Sequence, residues 1–324
     1  MRRREFIALA GNAAAWPLAA RAAASQTRRI GVLMNLAADD PEGKKGAAAF
    51  LDALQSMGWR DGHNVQINIR WGSNNLDDQG KFATELVALA PEIILASGTV
   101  SVTAIRHITH DIPVVFVRVA DPVGAGFVDN LARPSRNVTG FMLFEYSLAG
   151  KWLELLKQIA PGVTRAAVLR DPANPSGIGE FSAIQSVASA LGVELRSVDI
   201  RDGGEIESTL AAFARSPNGG VIATSTATSS AGHDLIVKFA ERYKLPAVYA
   251  DRLNGGLISY GPDRIAPFRL AAGYVDRILK GGKLIDLPVQ APTKYELIVN
   301  LAVAKRLGLV IPPTLLATAD EVIE

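Results

Sequence analysis

A chain of 324 residues, 48% hydrophobic and 20% charged, is long enough for two domains of ordinary size with substantial cores. The absence of cysteine excludes a disulfide framework and any thiolate metal site. The formal charge of +2 arises in the first 24 residues, where Arg2, Arg3, Arg4 and Arg21 face only Glu5; of 34 basic and 32 acidic side chains, 30 and 31 lie beyond them, so no basic excess points to nucleic acid.

Residues 1–24 read as an export signal. Arg2-Arg3-Arg4 is a positive start, Phe6 to Ala20 is moderately apolar, and Ala20-Arg21-Ala22 and Ala22-Ala23-Ala24 offer small residues for cleavage. Arg3-Arg4-Glu5-Phe6-Ile7 also resembles the core of a twin-arginine signal, with Arg2 where Ser or Thr is usual, so both the general and the twin-arginine routes stay open. No Cys follows to carry a lipid, and a periplasmic product without an anchor is expected. Beyond this segment no apolar run is long enough to span a membrane.

Past the signal, short apolar runs alternate with helical patterns. Strands are expected at Arg29–Met34, Val65–Trp71, Glu92–Ser97 and Val114–Val119, with helices at Gly46–Met57, Gln79–Leu89 and Val100–Ile108 between them. Asp121-Pro122 has the form of a helix start, Asp as cap and Pro in the first turn. The series then restarts. Helices at Lys151–Ile159, Ser182–Leu191, Ile206–Ala214 and Asp234–Tyr243 alternate with strands at Ala166–Leu169, Val193–Ile200, Gly220–Ala223 and Ala247–Ala250. Such alternation predicts α/β lobes, each with a parallel sheet covered on both faces.

The tail adds a strand at Leu257–Tyr260, a helix at Pro267–Leu279, an extended stretch at Leu287–Ala291 and a strand running into a helix over Tyr295–Leu307. Its simplest reading returns the chain to lobe one and then back to lobe two. Crossovers fall near 140–146, 255–261 and 288–293, a three-strand hinge. Lobe one is expected over 29–143 plus 257–288 and lobe two over 144–256 plus 289–318.

The assembled segments resemble the substrate-binding proteins of ABC transporters, of the type I periplasmic-binding class and the branch related to tryptophan and aromatic amino-acid binders. Among the matching pieces are Arg29-Ile30-Gly31-Val32-Leu33-Met34, Gly58-Trp59, Asp121-Pro122-Val123-Gly124-Ala125-Gly126-Phe127, Asn137-Val138-Thr139-Gly140-Phe141, Lys151-Trp152-Leu153-Glu154-Leu155-Leu156, Ser259-Tyr260-Gly261-Pro262-Asp263 and Tyr274-Val275-Asp276-Arg277-Ile278-Leu279-Lys280-Gly281. The resemblance runs over nearly the whole chain. It implies two Rossmann-like lobes, a small-molecule ligand in the cleft and a membrane permease as partner; a monomer with neither cofactor nor catalysis is expected beside it.

Ligands of open α/β sheets sit beyond the carboxyl ends of the strands, which selects loops without reference to any family. In lobe one these contain Asn35, Ser97, Gly98, Thr99, Ser101 and Asp121; in lobe two, Asn174, Thr226 and Asp251. Gly98 lets backbone approach a ligand, Thr99 and Ser101 offer hydroxyls, and a helix start presents free N–H groups that can hold a carboxylate. The competing reading of Thr99 and Ser101 is a plain helix cap. Asp121 is equally well an N-cap, and Asn35 a turn residue. Asn174 sits in the turn-rich Asp171-Pro172-Ala173-Asn174-Pro175, and Thr226 in a loop of small polar residues. Asp251 suits a ligand ammonium, or else is a surface or capping acid. The stretch Asp251-Arg252-Leu253-Asn254 is less aromatic than in the chains it resembles, which puts an aromatic ligand in question.

Enzyme readings find little support. His107 and His110 have a spacing metals use but no third ligand, and neither a Gly-x-Ser-x-Gly elbow nor a Walker loop is present. The rivals are a ligand sensor of the same fold and an α/β enzyme acting on a small metabolite. A DNA-binding regulator would need its recognition helices where the export signal stands.

Overall fold

The computed structural model describes residues 27–324 except 74, 135–136, 173, 201–202, 226–229 and 253–254. The expected signal, residues 1–24, and Thr226 lie outside the described residues.

The first sheet holds β1 (Arg28–Met34), β2 (Val65–Trp71), β3 (Ile93–Ser97), β4 (Val114–Val119) and β5 (Val138–Met142), all parallel, in the order β2-β1-β3-β4-β5. β3 and β4 are buried along their whole length, as central parallel strands covered on both faces must be, and the edge strand β5 is buried as well. The half-buried β2 is an edge. Helices α1 (Pro41–Ser56), α2 (Leu76–Ala88) and α3 (Gly98–Ile108) make the crossovers. Asp40 starts α1: its Oδ1 accepts the N–H groups of Glu42 at 2.9 Å and Gly43 at 3.1 Å, and Pro41 fills the first turn. That cap begins α1 five residues before the apolar pattern predicts it.

The second sheet holds seven strands in the order β12-β11-β10-β9-β8-β6-β7. They are β6 (Arg165–Arg170), β7 (Glu194–Asp199), β8 (Gly219–Ala223), β9 (Ala247–Tyr249), β10 (Ile258–Pro262), β11 (Tyr295–Asn300) and β12 (Glu321–Ile323). Among the described residues of this sheet only β10 and β11 pair antiparallel. Around them lie α4 (Ala149–Ile159), α5 (Pro175–Ala188), α6 (Gly203–Ala214), α7 (Ser230–Arg242), α9 (Leu301–Leu307) and α10 (Pro313–Leu316), while α8 (Ala266–Leu279) packs on α1, β4 and β5 of the first sheet. The fully buried Trp152 of α4 anchors this half, its indole N–H donating to the Tyr260 carbonyl at 2.8 Å.

The chain therefore passes between the two sheets three times: after β5, between β10 and α8, and ahead of β11. The first and third passages run side by side, Met142 N donating to Gln290 O at 2.8 Å and Gln290 N to Gly140 O at 2.9 Å.

Three details differ from the sequence reading. The return toward the first sheet does not begin at 257: Ile258–Pro262 pairs with β9 and β11, because its N–H and C=O groups complete the second sheet before the chain leaves it. Residues 319–324, beyond the expected end of lobe two at 318, likewise supply β12. Asp121-Pro122 opens hydrogen-bonded turns instead of a helix. Asp121 Oδ1 still accepts Gly124 N at 2.8 Å, yet Asp121 itself sits at φ 41° and Gly126 at φ 70°, which breaks any helical run.

Candidate functional site

The carboxyl ends of both sheets converge on one seam. In the first sheet the strand order reverses between β1 and β3, and Asn35 and Ser97 from the two loops touch there, Ser97 Oγ donating to Asn35 Oδ1 at 2.9 Å. Gly98 is in the left-handed region at φ 80°, and a Cβ on it would lie 2.8 Å from Cγ of Asn35, so only glycine lets the two loops close up. In the second sheet the reversal falls between β6 and β8, beside Thr224 and Ser225.

The predicted residues divide. Asn35, Ser97 and Gly98 are brought together as above. Thr99 reaches across the seam, its hydroxyl 3.1 Å from that of Ser176 at the start of α5, and Ser176 also bonds the Tyr146 hydroxyl. Ser101 donates to Gln79 Oε1 at 2.9 Å, and Gln79 in turn donates to the Met34 carbonyl at 3.1 Å, both inside the first lobe. Asn174 caps α5, Oδ1 accepting Ser176 N at 3.1 Å, and Asp121 shapes its turn. Asp251 is no surface acid: it is 7% exposed and meets Arg264 Nε at 2.6 Å.

That ion pair belongs to a chain of charges the sequence reading missed. Arg118, in β4, meets Glu42 Oε1 through Nη2 at 2.9 Å; Glu42, in the first turn of α1, meets Arg264 Nη1 at 3.2 Å; Arg264 closes on Asp251. Arg264 also lies with Nη2 3.4 Å from the Ser225 carbonyl, and Ser225 bonds the buried Glu180 of α5 through its hydroxyl and, at 3.1 Å, its N–H. Arg264 thus joins groups from both sheets.

Burial and neighbours set the protonation of this cluster in opposite senses. Burial works against the charge of Glu42, but Arg118 and Arg264 together outweigh it and hold its pKa down to about 2. Burial raises Glu180 to about 8 and Asp251 to about 6, the latter against the pull of Arg264. His233 is lowered to about 4 by burial and by Arg264, so it is neutral. At neutral pH the seam carries two guanidiniums, the carboxylates of Glu42 and Asp251, and a protonated Glu180.

Arg118 holds its place at a backbone cost. It sits at φ 60°, left-handed and non-glycine, where the register of β4 against β5 shifts between Val117 and Val119. Such a conformation costs about 1–3 kcal/mol and concentrates at functional sites. A signal existed in the sequence: one arginine inside Val114-Val115-Phe116-Val117-Arg118-Val119. Glu180, the one charged residue of α5, gave a similar one. Neither Glu42 nor Arg264 is distinguishable from a surface charge without the fold.

Two Rossmann-like lobes, linked by three passages and meeting at the carboxyl ends of their strands, define a type I periplasmic-binding fold. The model of the family described as ABC transporter substrate binding protein matches residues 30–323, and the chain belongs to that family. A tyrosine-binding protein of Clostridioides difficile is 24% identical over 274 residues, 84% of this chain and 79% of that one. A conserved domain protein of Vibrio cholerae superposes with a TM-score of 0.83 at 26% identity, covering 92% of this chain and 100% of that one. An ABC domain of Streptococcus pneumoniae in complex with L-Trp gives 0.82 at 23% identity, again over 92% and 100%. The ligand-free, open structure of a Clostridium difficile substrate-binding protein with adhesive properties gives 0.66 at 24% identity over 92% and 99%. Members of this family are the substrate-binding proteins of ABC transporters. Among the described residues no helix is long and apolar enough to cross a membrane.

Proposed function

We propose that this chain is the periplasmic solute receptor of an ABC importer and that it closes on one small carboxylated organic solute, an amino acid or aromatic acid, in the seam between its lobes. The observation that carries the reading is the seam itself. Polar groups from both sheets meet there at the carboxyl ends of their strands, Thr99 against Ser176 and Glu42 against Arg264, which also holds Asp251. The better superposition on the L-Trp complex than on the open structure supports a closed arrangement of the lobes. Residues 1–24 serve as the export signal, the three passages serve as the hinge, and the receptor acts as a monomer that presents both lobes to the permease. A ligand that touches both lobes favours the closed state by its differential affinity.

A thermal-shift screen of the mature chain against amino acids, aromatic acids and sugars tests this, because specific binding raises the melting temperature by mass action. The expected result is a shift by one acid that the double substitution Thr99→Ala/Asp251→Ala abolishes. Unchanged affinity in that double variant would overturn the placement of the site.

A further inference from the structure

Arg118 is built for something Glu42 does not use up. Its side chain is 6% exposed, and Nη2 is taken by Glu42, but Nε and Nη1 are buried with no hydrogen-bond partner among the described residues. Asp251 mirrors it: Oδ1 meets Arg264, while Oδ2 is buried with no partner among the described residues. Native proteins pair nearly all such groups, and an unsatisfied buried donor on a charged side chain is costly. Here donors and an acceptor of complementary character are buried and unpaired among the described residues in one cluster, where each feels the charge of the other.

The helix start that the sequence favours for a carboxylate is otherwise engaged at its hydroxyls. Ser97 donates to Asn35, Ser101 to Gln79, and Thr99 is met by Ser176. The cluster already balances two guanidiniums against Glu42 and Asp251. A phosphate dianion would disturb that balance most, a monocarboxylate with a hydroxyl disturbs it less, and a zwitterionic amino acid preserves it.

Resting on the solute-receptor reading, we infer that Arg118 is the specificity-determining residue of the seam: it receives the carboxylate of the solute through an unpaired donor on one edge of its guanidinium, Nε or Nη1, while Asp251 Oδ2 accepts from an ammonium or hydroxyl of the same molecule. The ligand class is then a small amino or hydroxy acid. A neutral solute of the same size leaves the guanidinium unsatisfied and is rejected, as a site built to hydrogen-bond a group rejects analogues that lack it.

The experiment is calorimetric titration of the refolded, ligand-stripped mature chain with L-glutamate, L-phenylalanine, L-tyrosine, 3-phenyllactate and 4-hydroxybenzoate. Each is paired with its methyl ester, and a polyol serves as a neutral control. We expect at least one acid to bind and its ester not to. Arg118→Gln is expected to weaken that acid by about a hundredfold and Arg118→Lys by about tenfold, the scale for losing a buried charge-assisted contact. The double variant Arg118→Gln/Glu42→Gln leaves no carboxylate of the Arg118 pair uncompensated, and it loses the acid equally. The acid–ester comparison needs only the parent chain, so it stands even where a variant misfolds. An ester or polyol bound as tightly as any acid, or a folded Arg118→Gln variant within about threefold of the parent, overturns the role of Arg118 and leaves the receptor reading intact. A parent chain that binds nothing in either arm overturns both.

Discussion

Glu180 and Glu42 are both carboxylates of the seam, and their surroundings send them to opposite states. Glu180 has an ordinary value of 4.5 when exposed and about 8 when buried in the fold. Between those values the unfolded chain is ionised while the native chain keeps its proton, so the associated stability is full below 4.5, falls as pH rises and is gone above 8. Glu42 runs the other way. With its pKa held near 2 it contributes stability above 4.5 that is lost as pH falls toward 2. Glu180→Gln, which keeps the shape of the protonated acid, is therefore expected to melt close to the parent at pH 5 and above it at pH 9. Scanning calorimetry at the two pH values checks this, and an equal offset at both would show that Glu180 is ionised in the native state. At this scale the sequence was legible only in part. The loops holding Asn35, Ser97, Gly98, Thr99 and Asp251 followed from strand ends, while Glu42 and Arg264, 222 positions apart, meet only because the fold brings them together.

Elements were more legible than residues because their signals are local. β2 and β4 match the pattern reading end to end, since a buried or alternating run has one periodicity. Helix starts were missed where the cap lies outside the apolar pattern. α5 begins at Pro175 behind the Asn174 cap, seven residues before its apolar stretch was recognised. Tight packing between elements is tested best at Gly140 of β5. It sits at φ 155°, and a Cβ there would lie 2.1 Å from the carbonyl oxygen of Phe116 in β4. Backbone cannot give way as a side-chain tip can, so Gly140→Ala is expected to cost about 3 kcal/mol or more, read from the denaturant midpoint. Gly162→Ala, where no atom lies within 4 Å, is the matched control and should change the midpoint little.

For the whole molecule the decisive group is Arg264, which stands between β10 of one sheet and α8 on the other. Removing its charge leaves Glu42 with Arg118 alone and Asp251 with no countercharge in contact. Breaking a buried pair from one side costs about 3–5 kcal/mol, and here part of that cost can be relieved by parting the lobes and admitting water. Arg264→Ala is therefore expected to increase the radius of gyration of the ligand-free protein in small-angle scattering, while the parent becomes more compact with ligand. No change of size in either sample would mean that the seam is rigid and the passages between the sheets are not a hinge.

The amino-acid sequence by itself determined the α/β alternation, the two successive series of strands and helices, the family and the loops from which a site could be built. Each of these rests on periodicity, caps or segments read in chain order, interactions that span a few residues. Tertiary structure alone decided that β10 completes the second sheet and that Arg118, Glu42, Arg264 and Asp251 form one buried chain of charges across the seam. The reason is physical: whether a charged side chain is solvated or sealed, and which opposite charge it meets, depends on packing between segments far apart in the chain, and no local pattern encodes that distance.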